Sequence, residues 1–158
     1  MDVIATMILT ALRDDDEATN GIRALLGHST TPYGVYHTEL LENPDFNSSK
    51  RYISFYQITS TPDMDYPGNS RNFTTLPVQE TYMITAWGGD TTTTNNLILK
   101  RIRYLLQGCH KVTKPTTDAD VYDIKMEWEG PELYDKIFGV HYRQVRYRVW
   151  LNDVSITG

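Results

Sequence analysis

Two stretches near the C-terminus alternate with a period of two, and that period constrains the fold more than any other feature of the chain. In "VYDIKMEWE" (121–129), Tyr122, Ile124, Met126 and Trp128 fall on one side, while Asp123, Lys125, Glu127 and Glu129 fall on the other. In "RQVRYRVWL" (143–151), Val145, Tyr147, Val149 and Leu151 form the apolar side. Successive side chains of an extended strand point to opposite faces, so each stretch is committed to a sheet with one buried face. The two read as a hairpin joined by a connection over 130–140. Their polar faces are complementary, with Asp123, Glu127 and Glu129 on one and Arg146 and Arg148 on the other. Opposite charges across an antiparallel pair add roughly 0.2–1 kcal/mol each.

Two further stretches are dense in aromatic and β-branched residues: "RYISFYQIT" (51–59) and "QETYMITAW" (79–87). They read as strands paired antiparallel. "GVYHTELL" (34–41) reads as a strand or extended segment, followed by a turn-rich loop, "NPDFNSSK". Helical spacing appears elsewhere. Ile4, Met7, Ile8, Ala11 and Leu12 make a first helix over 2–13, with Asp2 as its cap. "IRALL" makes a short second helix that stops at Gly27. Ile98, Ile102, Leu105 and Leu106 stripe a third, ended by Gly108 and capped by a threonine of "TTTT" or by Asn95.

The order of these elements predicts an α+β fold. It is a mostly antiparallel sheet with helices packed on one face, a single domain over 1–158, and a long β-hairpin arm at about 61–77. The arm, "TPDMDYPGNSRNFTTLP", holds three prolines and a glycine and shows no periodicity. A long irregular connection inside a small domain is either a functional element or a surface loop. Met64, Tyr66, Arg71, Phe73 and Leu76 on it are apolar or basic groups that gain by docking on a neighbouring surface.

Chemistry is sparse. The chain of 158 residues has a formal net charge of −5, which argues against general binding of nucleic acid, because phosphate neutralisation drives such binding. One cysteine, Cys109, permits no intrachain disulfide. No apolar run reaches the length of a membrane span, and the apolar N-terminus lacks a signal peptide's basic start and cleavage site. His28, His37, His110 and His141 are scattered without metal spacing. "DDDE" (14–17) has charge but none of the alternation of a calcium loop, and reads as a solvated helix end. Phosphate-binding, nucleophile-elbow and metalloprotease motifs do not occur. Trp87, Trp128 and Trp150 are candidates for a ligand pocket, but at strand positions such residues more often serve core or interface. These readings expect no enzyme, no catalytic or metal-binding residues and no cofactor.

The chain resembles the tail completion and tail terminator proteins of long-tailed bacteriophages. The resemblance rests on the N-terminal helix running toward "ALLGHSTTPYGVY", the strands "YISFYQIT" and "ETYMITAWGG", the helix "NNLILKRIRYLLQG", and the closing "DVYDIKMEWEGPELYDKIFGVHYRQVRYRVW". It covers nearly the whole chain and is one of order and texture. The arm is longer than the family's pattern suggests. The resemblance implies a structural virion protein of the tail or neck, assembled in the host cytoplasm. It implies a ring, typically a hexamer, that caps the tail tube, joins it to the head-tail connector or stopper protein, and lets DNA pass through its lumen without specific binding. The candidate interface residues are then Met64, Tyr66, Arg71, Phe73, Leu76, Arg146 and Arg148, with exposed strand edges available for pairing between subunits. Two readings compete: a neck or head-completion (connector) protein of the same particle, and a small ligand-binding or enzymatic domain built on the tryptophans and histidines.

Overall fold

A computed structural model describes residues 3–38, 44–46, 50–62, 76–89, 92–114 and 119–153. The elements run α1 (Val3–Arg13), α2 (Ile22–Leu26), β1 (Val35–His37), β2 (Tyr52–Pro62), β3 (Leu76–Gly89), α3 (Thr92–Leu106), β4 (Ala119–Glu129), β5 (Leu133–Asp135) and β6 (Val140–Asp153). They form one sheet of order β1-β2-β3-β6-β4, with β5 also on β6. Every pairing is antiparallel except β1 with β2. The expected α+β class is therefore the observed one.

The C-terminal strand lies mid-sheet, between β3 and β4. Along its other edge β5 pairs with Val140–Tyr142 and β4 with Val145–Asp153, so β4 and β5 follow one another beside β6. The segment 130–140 thus contains a short strand and a tight turn where the sequence suggests a plain connection. The turn is closed by Asp135. Its Oδ1 accepts the Ile137 and Phe138 amides at 2.8 and 2.9 Å, and its carbonyl accepts the Gly139 amide at 2.8 Å. Gly139 has φ +68°, where a side chain is strained.

α1 and α3 pack on one face of the sheet. Ile4, Ile8 and Leu12 of α1 and Ile98, Ile102 and Leu106 of α3 meet Ile53, Phe55, Tyr82, Ile84, Val145, Tyr147 and Val149 in one core. Each such side chain contributes roughly 1.5–3 kcal/mol on burial. α2 ends on Gly27 in the left-handed region, as expected. Asn95 does not cap α3. It lies within the helix, fully buried, and its Nδ2 donates to Glu132 Oε1 at 2.9 Å. Asp2, the suggested cap of α1, lies outside the described residues.

β4 departs from its clean alternation. Val121 and Ile124 both face the core, while Tyr122 and Trp128 are exposed. Two register shifts against β6, between Val121 and Asp123 and between Met126 and Trp128, explain this. Each adds one residue to β4 and flips the face of the residues beyond it. Tyr122 and Trp128 are therefore not the core residues that the period suggests.

β2 and β3 extend further than expected, pairing as far as Pro62 with Val78. Both strands thus run into the ends of the arm, and most of it, 63–75, lies outside the described residues.

Candidate assembly surface

Among the described residues, the second face of the sheet carries no helix. Cross-strand partners share a face, so register places Met83 beside Arg146, Thr81 beside Arg148, and Gln79 beside Trp150. From β4, Trp128 stands opposite Arg146, Lys125 opposite Arg148, and Asp123 opposite Trp150. The result is a mixed ladder of cations and indoles. The Arg146 guanidinium lies 5.3 Å from the Trp128 ring centre, and Lys125 and Arg148 each lie 5.7 Å from that of Trp150. Tyr56 and Ile58 of β2 are exposed.

The two candidate arginines of this face differ. Arg148 pairs with Glu127 and donates to Gln79 Oε1 at 3.2 Å. Asp123 pairs with Lys125 at 3.4 Å. Among the described residues Arg146 has no carboxylate partner, and its Nε is buried without a hydrogen-bond acceptor. The expected complementarity of the hairpin is therefore real for Arg148 and does not extend to Arg146. Glu129 is engaged elsewhere. It sits 3.5 Å from Arg143, which also donates to the Gly130 carbonyl at 2.7 Å and to Asn96 of α3. Arg143 thus ties the start of α3 to the end of β4, a role the sequence did not signal.

One end of this face is closed by aromatic rings. Trp87 stacks on Tyr142 at 4.9 Å and meets Phe138 edge-on at 5.9 Å, and Phe46 joins Phe138 to Tyr52. The Trp87 indole donates to Ser54 Oγ at 2.9 Å. Beyond this cluster, the β5–β6 turn presents Ile137, which is 91% exposed, with Leu133 and Tyr134 exposed beside it.

The sheet edges are poorer templates for pairing than the sequence suggests. At β1, Val35 donates its amide to the Pro32 carbonyl, and its own carbonyl accepts Arg13 Nη2 at 2.8 Å. At β4, Gln107 Oε1 takes the Met126 amide at 2.9 Å, and two bulges interrupt the edge. Short, bulged and capped edges resist strand addition.

The remaining candidate chemistry disperses. Of "DDDE", Asp15 is not solvated. It is buried, receives Arg101 Nε and Nη2 at 2.7 and 2.6 Å, and accepts the Ile22 amide at 2.8 Å, locking α3 to the start of α2. Asp14 and Asp16 stay exposed. They line an open cleft of about 360 Å³ between the end of α1 and α3, together with Arg101, Tyr104 and Lys111. The four histidines lie apart, each against an aromatic ring: His28 on Tyr52, His37 on Phe55, His110 on Tyr104 and His141 on Tyr134. Burial pushes the Cys109 thiol up, away from thiolate reactivity. Among the described residues, no three His, Cys, Asp or Glu groups converge as a metal site, and no helix is long and apolar enough to cross a membrane.

Of the arm residues, Met64, Tyr66, Arg71 and Phe73 lie outside the described residues. Leu76 opens β3, its backbone paired with Asp153.

No family model matches this chain, and no curated protein matches it. Among solved structures it is similar to a chain in the virion of a native gene transfer agent particle. The TM-score is 0.64 at 11% identity, over 94% of each chain. At that identity the likeness establishes a shared fold, from end to end, with a component of a virion.

Proposed function

We propose that this chain is a structural subunit of a phage-type virion, a tail terminator that forms a ring, of six copies in the family it resembles, at the end of the tail tube. The ring stops tube growth and offers a docking face to the head-tail connector or stopper protein, and DNA passes through its lumen. The observation that carries this reading is the shared fold with a virion chain over 94% of both chains. The open, aromatic and charged sheet face supports it, since such a face is suited to protein contact. The net charge of −5 also fits a lumen that repels phosphates and does not hold them. The reading assigns the chain no catalysis, and it places the protein in the tail or neck after assembly in the host cytoplasm.

Electron microscopy of the purified protein, alone and mixed with tail tubes, tests it. Rings at one end of each tube, with tubes of uniform length, are expected. A single copy per tube end, measured by mass on assembled tails, overturns the ring. Binding to isolated head connectors but never to tubes assigns the chain instead to the neck or head-completion role.

A further inference from the structure

We infer that Arg146 and Trp128 form the receiving half of a contact between successive copies of this chain, and that the other half is the acidic turn after α1, led by Asp16. The inference rests on the ring reading above and names its surfaces.

The receiving half is prebuilt and incomplete. Without the second bulge of β4, Glu127 would stand opposite Arg146. The bulge puts Trp128 there and leaves Glu127 to Arg148. Trp128 lies close against its own chain. A Cβ on Gly130 would fall 2.5 Å from the Trp128 ring, so only glycine lets the indole lie so close to the chain. Arg146 approaches that indole from the centre of the sheet, flanked on its other side by Met83. Among the described side chains, the open face of β3, β6 and β4 carries three cations, Lys125, Arg146 and Arg148, and two carboxylates, Asp123 and Glu127. Both carboxylates are taken by the other two cations. The Arg146 Nε has lost water and gained no acceptor, which is a cost that a carboxylate from outside would offset. One unpaired cation is too little for phosphate-driven binding, so the partner it fits is a protein carboxylate and not DNA.

The chain carries such a group on its far side. α1 packs with α3 on the covered face of the sheet, and the turn after it exposes Asp14 and Asp16. Its other two acids are occupied: Asp15 by Arg101, and Glu17 by the amides of Thr19 and Asn20. Asp14 lies 4.0 Å from the Arg23 guanidinium, and Asp16 has no partner among the described residues. The accepting carboxylate on the helix layer and the donating guanidinium on the open sheet face lie on opposite sides of one subunit. Contact between them is heterologous, and such contacts repeat from copy to copy and close into a ring where the rotation between copies allows.

A charge swap on the full chain tests the pairing. Arg146→Glu and Asp16→Arg should each weaken self-association about tenfold or more, read by sedimentation or native mass, alone or on tail tubes. The double variant should recover to within a few-fold of the parent. Arg146→Gln with Asp16→Asn provides a milder cycle should Arg146→Glu fail to fold. Uncoupled effects in whichever cycle folds overturn the pairing while leaving the ring intact. A parent that stays single both alone and on tubes overturns the ring and the pairing together. Salt-sensitive DNA binding by the parent that is lost in Arg146→Gln overturns the pairing in favour of nucleic acid.

Discussion

The two faces of this sheet are built from the same strands and share almost no chemistry. In β6, Val145, Tyr147 and Val149 are buried against the helices, while Arg146, Arg148 and Trp150, interleaved with them, lie on the open face. In β2, Phe55 is fully buried and its neighbour Tyr56 is 40% exposed. In these stretches parity alone separates the two sets, while the middle of the open face, at Ser54, Thr81, Met83 and Thr85, is itself buried. The covered face holds the fold together, and the open face is free to carry recognition. Substitutions one residue apart should therefore fall into different classes.

The largest contrast is expected at Phe55 and Tyr56. Phe55→Ala should cost roughly 3–5 kcal/mol, the usual loss for emptying a buried aromatic site. Tyr56→Ala should stay within about 1 kcal/mol. Chemical denaturation measures both. Equal losses would mean that the open face is covered by part of the molecule itself and is not a surface. A second contrast lies in the helix layer. Asp15→Ala strands Arg101, which is 18% exposed, and leaves the Ile22 amide unpaired, so about 3 kcal/mol is expected. Asp16→Ala, one residue on, should change the midpoint by less than a degree.

How far the sequence foretold these classes depends on the signal each residue carried. α1, α3 and four strands were legible because their apolar periods are long enough to read, α2 from its stop at Gly27, and β1 as part of a longer extended stretch. Phe55, Tyr147 and the Ile98–Ile102 stripe needed nothing else. The bulges in β4 were hidden, because "VYDIKMEWE" alternates without a flaw and a one-residue slip leaves no mark in composition. That slip decides which arginine is paired, so the difference between Arg146 and Arg148 could not be read either. β5 is three residues long and mostly exposed, too short for any period. Asp15 looks like its acidic neighbours until α3 brings Arg101 to it from 86 residues away. Arg143 was invisible for the same reason, since its partners on α3 and β4 meet only in the fold.

The two open-face arginines sharpen the comparison at smaller scale. Arg148→Ala removes the contacts to Glu127 and Gln79 and should cost about 1 kcal/mol, since the pair is about a third exposed. Arg146→Ala should be nearly neutral for folding, because it removes a stacked but unsatisfied group. Its effect should appear in assembly alone. A folding loss at Arg146 larger than at Arg148 would show that its stacking on Trp128 belongs to the fold.

The arm separates folding from assembly at a third place. β2 and β3 already pair as far as Pro62 and Val78, so replacing 63–75 with a short Gly/Asn turn should leave the melting midpoint within a few degrees. The shortened chain should then fail to cap tail tubes or join them to heads. Failure to fold would place the arm in the core. Infectious particles made with the shortened chain would restrict assembly to the open face, the acidic turn after α1 and the turn at Ile137.

The smallest expected effect is a pH dependence at His28, on neither face of the comparison but at the joint between α2 and β2. Its Nε2 lies 2.8 Å from the Arg51 carbonyl, and its ring meets Tyr52 edge-on. Burial pushes its pKa below the usual value, with the nearby Lys50 adding to the shift and the Arg51 carbonyl opposing it. The folded chain therefore holds this proton less tightly than the unfolded chain. The contribution is intact above the unfolded value of about 6.5 and is lost as pH falls from there through the lower folded value. His28→Gln keeps a donor for the Arg51 carbonyl and removes the titration. The melting midpoint of the parent minus that of His28→Gln should shrink by a small amount between about pH 7.5 and pH 5.5, since carboxylate effects are common to both and cancel. A difference that stays flat would mean that His28 takes up its proton as freely in the fold as in the open chain, and that the joint is looser than the covered face it adjoins.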